Sequence, residues 1–460
     1  MKKLLAALLF TFATPVWAQV DTVSNLSATE KTWGLTKFWS EAKYNFVYFD
    51  KTKINWDSAY TAYLPQVLAT KSTWDYYKVL KKFCALLQDG HTNVFEPNDL
   101  YKTSRYRQIL IENFDQHFFV TNVGKEFSAK EIIGSEVISI NHQPTQIWLK
   151  NNIIPYISAS TEHQRWNDAA RMLFVDTDTT KTWQLKLKTP QGKQVAYQAN
   201  WHTYRQNWYK PIPKWENFQY KKIGDVGYLQ INTFADTAIL GDFRKVLPEL
   251  YTCKAIIIDL RKNGGGNSQI GADLLKYFTS EKNIIGSIWK TRDHQAAFNA
   301  WGKTVLASNP QVDLNTLSNF RKKSVQIAQG NYWFQGDTMQ FENNLAVKRL
   351  EQPLVVLQSN NTASAAEDFL IMLSSLKGRA TTIGQKSFGS TGQPLFIDLP
   401  GGGSARICAK RDTYPDGKEF VGYGIKPDLE VKRKVQDAIK GEDSELKLAL
   451  SKLKQEIKAL

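Results

Sequence analysis

The chain has 460 residues, of which 42% are hydrophobic, and a formal net charge of +15 at pH 7. This length is too great for one small core, so two or three domains with sizeable hydrophobic cores are expected. The positive charge is spread along the chain without a nucleic-acid-binding motif, which argues against a nucleic-acid partner. No cluster of Cys and His has the spacing of a metal site, and neither a metal nor a cofactor is expected.

The first 18 residues have the pattern of a secretory signal peptide. Lys2 and Lys3 precede an apolar stretch over residues 4–12, and residues 16–18 end in a small-residue cleavage signal. This stretch is too short to span a bilayer, and the sequence has no later run of about 18 uncharged apolar residues. We therefore expect an exported protein without a transmembrane segment, located in the periplasm of a Gram-negative bacterium or secreted.

The cysteine content also bears on this compartment, because export permits disulfides. Cys84, Cys253 and Cys408 lie far apart, their number is odd, and each has apolar neighbours. This pattern predicts buried free thiols, with a single disulfide as the alternative.

The first half of the chain predicts two structural units. Apolar residues recur at helical spacing from residue 27 to 87, which predicts a helical N-terminal domain over residues 19–100. Over residues 101–205, short alternating stretches such as EVISIN and TWQLKLKT are separated by turn residues, which predicts a compact β-rich module. Within it, GSEVISINHQPT resembles a piece of PDZ domains, although His142 stands where glycine is usual.

The second half predicts an α/β domain followed by a helix. Residues 206–435 alternate β-branched runs, among them VGYLQI, KAIIIDL and PLVVLQ, with helical segments, which predicts a largely parallel sheet. Leucines at helical spacing over residues 436–460, after an N-cap candidate at Asp443, predict a C-terminal helix that docks on this domain. The fold class expected for the whole chain is therefore multidomain α/β.

Two segments of the α/β domain pass from a strand through a polar turn into a helix. In AIIIDLRKNGGGN, residues 255–267, three glycines allow main-chain N–H groups to converge on an oxyanion or another anion. A tight structural turn is the alternative, and a P-loop is excluded because its Gly-Lys-Ser/Thr is missing. In PLVVLQSNNTASAAEDF, residues 353–369, Ser364 at the helix start is either an N-cap or a nucleophile.

The order of four motifs connects these segments. IIIDLRKNGGG, TASAAEDF, GRATTIGQKSFGSTG and GYGIKPD follow one another between about residues 224 and 431. This set resembles that of the tail-specific (C-terminal processing) and tricorn-type serine proteases. The resemblance implies a catalytic domain of the ClpP/crotonase-like type with Ser364 as the nucleophile. It also implies an oxyanion hole formed by the N–H groups of Ala365 and of Gly264 or Gly265.

The general base departs from the tail-specific pattern. Ser390 stands where those proteases carry a lysine, and Lys386 lies four residues earlier in a surface context, so a Ser–Lys dyad is not expected. The segment LLQDGHTNV resembles the histidine segment of the tricorn branch, which implies that His91 is the base. The expected orienting carboxylate is Glu419, just upstream of GYGIKPD. Its alternatives and the supporting residues are Asp89, Asp416 and Ser390.

These assignments predict a serine endopeptidase that cleaves unfolded or extended polypeptides. The PDZ-like module would capture the substrate by adding a strand to its sheet. One alternative is a non-catalytic carrier of hydrophobic ligands or peptides, because the scaffold also resembles the retinoid-binding protein of the interphotoreceptor matrix. Another is a carbohydrate hydrolase with paired carboxylates, for which only the aromatic residues argue. Assembly into a homo-oligomer is left open.

Overall fold

The computed structural model of the chain describes residues 25–103, 105–125, 130–173, 175–176, 182–199, 201–202 and 208–459. The predicted signal peptide, residues 1–18, lies outside this part. Within the part that the structure describes, no helix combines the length and the hydropathy needed to cross a membrane.

The N-terminal region is helical, as predicted. Its helices are α1 (Ala28–Asn45), α2 (Trp56–Leu68) and α3 (Thr73–Ala85), and the short strand β1 (Asn93–Phe95) follows them. Ser27, Asn55 and Ser72 each accept a hydrogen bond from a main-chain N–H of the first helical turn, which fixes the helix starts. Trp56 stacks on Phe83 with ring centroids 4.2 Å apart, so aromatic packing joins α2 to α3.

The region after β1 is the β-rich module. Its strands β2–β10 are Arg105–Arg107, Ile109–Phe114, His117–Val123, Glu136–Ile140, Gln143–Pro144, Val175–Asp176, Trp183–Lys188, Gln194–Ala199 and Trp201–His202. Its helices are α4 (Thr145–Asn152) and α5 (Glu162–Met172). Antiparallel pairing gives the order β3-β4-β5-β8-β9, with β6 on β5, and a smaller sheet has the order β10-β2-β7. The module has a hydrophobic cluster of its own, centred on residues such as Val120, Ile140 and Leu187.

The segment that resembles a PDZ piece forms β5, a tight turn and β6. Asn141 and His142, the two residues of this turn, have φ angles of 46° and 66°, in the left-handed region that favours glycine. His142 therefore adopts a backbone conformation that glycine takes with less strain. The likeness of the whole module to a PDZ domain stays a prediction.

The α/β domain contains most of the remaining elements. Helices α6–α10 are Ala238–Leu250, Ser268–Leu275, Ala296–Ser308, Asn319–Ala328 and Ala365–Ser375. Strands β11–β23 are Phe218–Ile223, Val226–Ile231, Ala255–Asp259, Asn283–Ile285, Ile288–Arg292, Trp333–Gln335, Gln340–Glu342, Leu354–Gln358, Thr381–Gly384, Pro394–Asp398, Ser404–Cys408, Arg411–Thr413 and Leu429–Glu430.

The central sheet has the order β11-β12-β13-β18-β19-β23. Only β11 is antiparallel to its neighbour, and the other strands pair in parallel, as the buried β-branched runs predict. Strands β13 and β18 are adjacent, with Asp259 paired to Leu357 near their carboxyl ends. The glycine-rich turn follows β13 and the Ser364 turn follows β18, so both turns leave the same edge of the sheet.

The helical N-terminal region and the α/β domain share one hydrophobic cluster. It contains Phe38 and Phe83 of the N-terminal helices together with Ile258 and Phe369 of the α/β domain. Strand β1 also pairs with β21, placing Asn93 opposite Arg406. The segment that carries His91 is therefore held directly against the α/β domain.

The C-terminal segment forms α11 (Val435–Lys440) and α12 (Ser444–Ala459). Asp443 caps α12, because its Oδ1 accepts from the N–H of Leu446 at 2.9 Å. Ala449 and Leu453 are buried in a cluster with the sheet residues Ile257 and Leu357, so α12 docks on the α/β domain as predicted. All three cysteines are buried and free.

Candidate active site

Ser364 lies at the end of the turn that joins β18 to α10. Its φ and ψ angles are 56° and −124°, an unfavourable conformation for a residue with a side chain. Its main-chain N–H donates to the carbonyl of Ser390 at 3.2 Å, which holds the turn in place. A strained strand-to-helix turn of this kind is typical of nucleophilic serines, since it presents the side-chain oxygen to an open cleft.

The imidazole of His91 connects the N-terminal region to this turn. Its Nε2 lies 3.1 Å from Ser364 Oγ, and its Nδ1 lies 2.7 Å from Ser390 Oγ. Burial lowers the pKa of His91 to about 3, with smaller contributions from the positive charges of Arg406 and Lys410. The imidazole is therefore neutral near pH 7, and with a proton on Nδ1 it can accept one from Ser364 at Nε2.

Two buried acidic residues, Asp89 and Glu367, contact the serines of the site. Asp89 Oδ1 is 3.5 Å from Ser390 Oγ, and the Asp89 carboxylate also accepts from Thr92 Oγ1 at 2.7 Å and from Ser160 Oγ at 3.1 Å. Burial raises the pKa of Asp89 above its usual value, although these hydrogen bonds oppose the shift. Of the three carboxylates considered from the sequence, Asp89 is the one that the fold brings close to the His91 contact.

Glu367 is the second buried carboxylate. It accepts from the main-chain N–H of Gly389 at 2.8 Å, of Ser390 at 3.0 Å and of Ser364 at 3.2 Å, as well as from the Ser387 hydroxyl. Burial nevertheless raises the pKa of Glu367 to about 8. Sequence reasoning missed this residue, although Ser364 and Glu367 have the Ser-x-x-Glu spacing of a capping box, which links such a pair at helix starts.

The structure does not bring Glu419 to His91. Its carboxylate forms ion pairs with Lys51 and Arg411, and Arg411 also pairs with Asp50 at 2.9 Å. The buried guanidinium of Arg411 needs anionic partners, and its ion pair with Glu419 keeps that carboxylate away from His91. Asp416 is exposed and pairs with a neighbouring lysine. The His91 Nδ1 contact is made by Ser390 instead.

The glycine-rich turn lies directly against Ser364. Gly265 has φ 102°, and a Cβ added there would lie 2.5 Å from Ser364 Cβ and 3.0 Å from the Ala365 nitrogen. The N–H of Gly265 donates to Asn263 Oδ1 at 2.9 Å, so it is already engaged. Within the described part of the chain, the N–H groups of Ala365, Gly264 and Gly266 have no acceptor. These three groups are the ones free to bind an oxyanion.

A cleft of about 680 Å³ opens above these groups. His91, Ser364, Gly264 and Phe388 are among the residues that line it. A second cavity of about 590 Å³ adjoins it across the glycine-rich turn. Among the residues that the structure describes, no group of three or more His, Cys, Asp or Glu side chains could hold a metal ion. The side chain of Lys386 is exposed, in agreement with its predicted surface position.

A strained serine, a neutral histidine within hydrogen-bond distance and free N–H groups beside them define a site of the serine hydrolase class. Residues 225–431 match the model of peptidase family S41, and residues 29–85 match the tricorn protease C1 domain. The α/β domain is therefore a domain of peptidase family S41, and the N-terminal helices are similar to a domain of tricorn protease.

Curated relatives are C-terminal processing proteases. The carboxy-terminal-processing protease of Bartonella bacilliformis is 27% identical over 257 residues, which cover 54% of this chain and 48% of that protein. The carboxyl-terminal-processing protease of a Picosynechococcus species is 24% identical over 386 residues, which cover 81% of this chain and 77% of that protein. The chain thus matches about half the length of the Bartonella relative.

Solved structures share the fold. The structure of mature CPAF complexed with lactacystin has a TM-score of 0.68 at 15% sequence identity and covers 94% of this chain and 99% of that one. A putative peptidase from Parabacteroides merdae has a TM-score of 0.50 at 18% identity, over 93% of this chain and 97% of that one. The arrangement of all three regions of this chain is therefore shared with other proteins.

Proposed function

We propose that this chain is a serine endopeptidase that cleaves unfolded or extended polypeptides, with Ser364 as nucleophile and His91 as general base. The observation that carries the proposal is the 3.1 Å contact between Ser364 Oγ and His91 Nε2, two residues 273 positions apart. A mere helix cap would not need a neutral, buried imidazole at this distance.

The first half of the reaction is acylation. His91 Nε2 accepts the proton of the Ser364 hydroxyl while Oγ bonds to the carbonyl carbon of the scissile peptide. The resulting oxyanion accepts hydrogen bonds from the N–H of Ala365 and from Gly264 or Gly266. When the C–N bond breaks, the imidazolium returns its proton to the leaving amine, and the acyl group remains on Ser364.

The second half is hydrolysis of the acyl-enzyme. A water molecule gives a proton to His91 Nε2 and its oxygen attacks the ester carbonyl. Collapse of the second tetrahedral intermediate breaks the bond to Ser364 Oγ, which recovers its proton from the imidazolium. The carboxylic acid product leaves, and no oxidant or cofactor is needed.

Ser390 is the residue proposed to orient His91. Its hydroxyl accepts from Nδ1–H and donates toward Asp89 Oδ1, which keeps the proton on Nδ1 and leaves Nε2 free to accept. Glu367 supports this arrangement, because it binds the main chains of Ser364 and Ser390 together. The Ser390 hydroxyl, backed by Asp89, thus takes the place proposed for Glu419 from the sequence.

Export and substrate capture complete the proposal. Residues 1–18 would direct the chain to the periplasm or the exterior, where it would act on exposed polypeptides. The β-rich module, placed between His91 and the α/β domain in the chain, would present an extended segment to the cleft by strand addition.

A fluorophosphonate probe tests the nucleophile. We expect the wild-type protein to be labelled and the Ser364→Ala variant to remain unlabelled, while Ser374→Ala, at an exposed position of the same helix, labels like the wild type. Failure to label well-folded wild-type protein, or labelling that persists in Ser364→Ala, would contradict the assignment. The first of these results, combined with no peptide hydrolysis, would favour a carrier of hydrophobic ligands.

A casein-degradation assay tests the base separately. Replacing His91 by Ala is expected to lower the rate by about 10²–10⁴-fold, the usual contribution of a general base. Full activity in a folded His91→Ala variant would mean that another group accepts the proton.

A further inference from the structure

The charged side chains that line the cleft are all positive. Its lining includes Arg171 from α5, Lys262 from the turn after β13 and Arg406 from β21, and among the described residues that line it there is no Asp or Glu. These three cations come from separate parts of the fold, so a single basic segment does not account for them. A cleft with low-dielectric walls and one sign of charge concentrates ligands of the opposite sign.

Arg406 is the most firmly held of the three. Its Nε donates to Asn93 Oδ1 at 2.8 Å, its Nη2 donates to the carbonyl of Gly90 at 3.1 Å, and its guanidinium lies 5.6 Å from the ring centroid of Phe95. Gly90 directly precedes His91, so this guanidinium is fixed beside the general base.

The guanidinium of Arg406 also has N–H donors that make no hydrogen bond within the described part of the chain. An arginine has five N–H donors, and the two hydrogen bonds just described leave the others without an acceptor in the described part of the chain. No carboxylate of the described residues forms an ion pair with Arg406, and burial lowers its pKa although the charge of the more distant Asp89 opposes the shift. A partly buried, oriented guanidinium without a directly bonded anion is well suited to bind a carboxylate in a bidentate manner.

Lys262 and Arg171 extend this positive surface. Lys262 is exposed, has no ion-pair partner in the described residues, and lines both cavities beside the glycine-rich turn. Arg171 is partly neutralised, since it pairs with Asp168 at 3.2 Å and also contacts Asn361. Arg406 and Lys262 are therefore the two cations available to a ligand in the cleft.

We propose that the cleft selects polypeptides that carry a carboxylate next to the scissile bond, and that Arg406 and Lys262 bind it. The inference rests on the proposed peptidase function and names its substrate class. The carboxylate is that of an Asp or Glu side chain, because the proposed endopeptidase cuts within a chain and these side chains carry the only carboxylates beside an internal peptide bond.

Binding of this carboxylate has a consequence for the chemistry. The positive charge of Arg406 lowers the pKa of His91, and an anion bound to Arg406 offsets this effect. His91 then becomes the stronger base while the correct substrate is in place. An acidic substrate is therefore expected to have a higher kcat as well as a lower KM.

Matched quenched-fluorescent peptides test the proposal. Each pair has Glu or Gln at one position within three residues of the scissile bond, and each peptide is made with a free carboxyl terminus and with an amide. We expect kcat/KM to be about tenfold higher for the carboxylate at one or more positions, the effect of one charge-assisted contact. A Glu-over-Gln preference that holds in the amidated peptides supports the proposal, whereas an acid-over-amide preference without a Glu-over-Gln difference contradicts it by placing the recognised group at the chain terminus.

Variants connect the preference to the two cations. Lys262→Gln and Arg406→Gln are expected to remove most of the preference for acidic peptides, and Arg406→Lys is expected to retain part of it. The control is Lys222→Gln, which changes an exposed lysine of β11 outside the cleft lining and should retain the full preference. Fluorophosphonate labelling checks that each variant keeps an assembled site. If Arg406→Gln does not fold, the result for Lys262→Gln decides the test, because Lys262 is exposed.

Two outcomes would overturn the inference while leaving the proposed function intact. The first is hydrolysis of neutral and acidic peptides at equal rates by the wild type, and the second is a preference that survives in both folded variants. By contrast, a wild type that hydrolyses none of the peptides and takes no fluorophosphonate label would overturn the proposed function and this inference with it.

Discussion

His91 contacts a hydroxyl at Nδ1 where many serine hydrolases have a carboxylate. The Ser390 hydroxyl can accept from Nδ1–H and donate to Asp89 Oδ1, so it transmits the influence of the buried carboxylate. A lysine at position 390 would instead place another cation beside an imidazole whose pKa Arg406 already lowers. The absence of a lysine at position 390 is thus physically linked to the presence of the His91 imidazole beside Ser364.

The Ser390→Ala substitution tests this contact. We expect kcat to fall by about ten- to a hundredfold because Nδ1–H loses its acceptor and the imidazole its fixed tautomer, while KM stays unchanged. Steady-state kinetics on one peptide substrate, with a thermal melt of each variant, measure this split.

The matched control for this test is Ser374→Ala, which removes an exposed hydroxyl from α10. Its kcat and melting temperature should equal those of the wild type. A Ser390→Ala variant with wild-type kcat, or one that loses activity only in proportion to its folded fraction, would rule out an orienting role.

At the scale of elements, the site depends on two neighbouring strand-to-helix turns. Because β13 and β18 are adjacent and parallel, the glycine-rich turn after one lies against the Ser364 turn after the other. Gly265 lies where the two turns are in contact, and this position requires both its φ of 102° and the absence of a side chain.

The Gly265→Ala substitution should therefore disrupt this contact. The added methyl would meet Ser364 Cβ at 2.5 Å and force a backbone conformation that alanine disfavours, at a cost of about 1–3 kcal/mol. We expect a lower free energy of unfolding in urea titrations and loss of fluorophosphonate labelling in the fraction that remains folded.

Gly241→Ala is the control, since this helical glycine has open space around its Cβ position. It should be neutral or slightly stabilising, because alanine favours helices. Equal stability and equal labelling of the two variants would show that the Gly265 contact does not shape the site.

At the scale of the whole molecule, no single region contains the site. His91 comes from the segment after α3, Ser364 from the α/β domain, and Ser160 beside Asp89 from the β-rich module. The pairing of β1 with β21 and a shared hydrophobic cluster hold the first two regions together. Helix α12 covers the other face of the central sheet, where Arg261 also pairs with Asp443 at 2.7 Å and Glu445 at 2.6 Å.

Stability should depend on α12 through its buried face. Leu453 is fully buried against the sheet, so Leu453→Ala should lower the free energy of unfolding by about 2–5 kcal/mol. Leu448 on the same helix is 38% exposed, and Leu448→Ala should change the free energy of unfolding by no more than about 0.5 kcal/mol. Chemical denaturation of both variants measures the difference, and equal effects would mean that α12 does not dock as described.

Much of this protein could be predicted from local sequence. The helical N-terminal region, the mostly parallel sheet and the docked C-terminal helix follow from the spacing of apolar residues, because burial imposes the periods of helices and strands. The buried free thiols follow from the odd number, wide separation and apolar neighbours of the cysteines. The four ordered motifs predict a resemblance to the tail-specific and tricorn-type serine proteases, and the match of residues 225–431 to peptidase family S41 confirms it. The catalytic roles of Ser364 and His91 stay predictions, although the fold brings their side chains together.

Only the tertiary structure decided which groups surround these two residues. Glu419 is withdrawn from His91 by Arg411, the Gly265 N–H is taken by Asn263, and Ser390 reaches Nδ1 across 299 positions of chain. Although the Asn263–Gly265 and Arg411–Glu419 contacts span only two and eight positions of chain, each partner is chosen in competition with other groups that the fold brings alongside. Local periodicity carries no record of that competition, whereas it does specify which segments form strands and helices and which serine begins a helix.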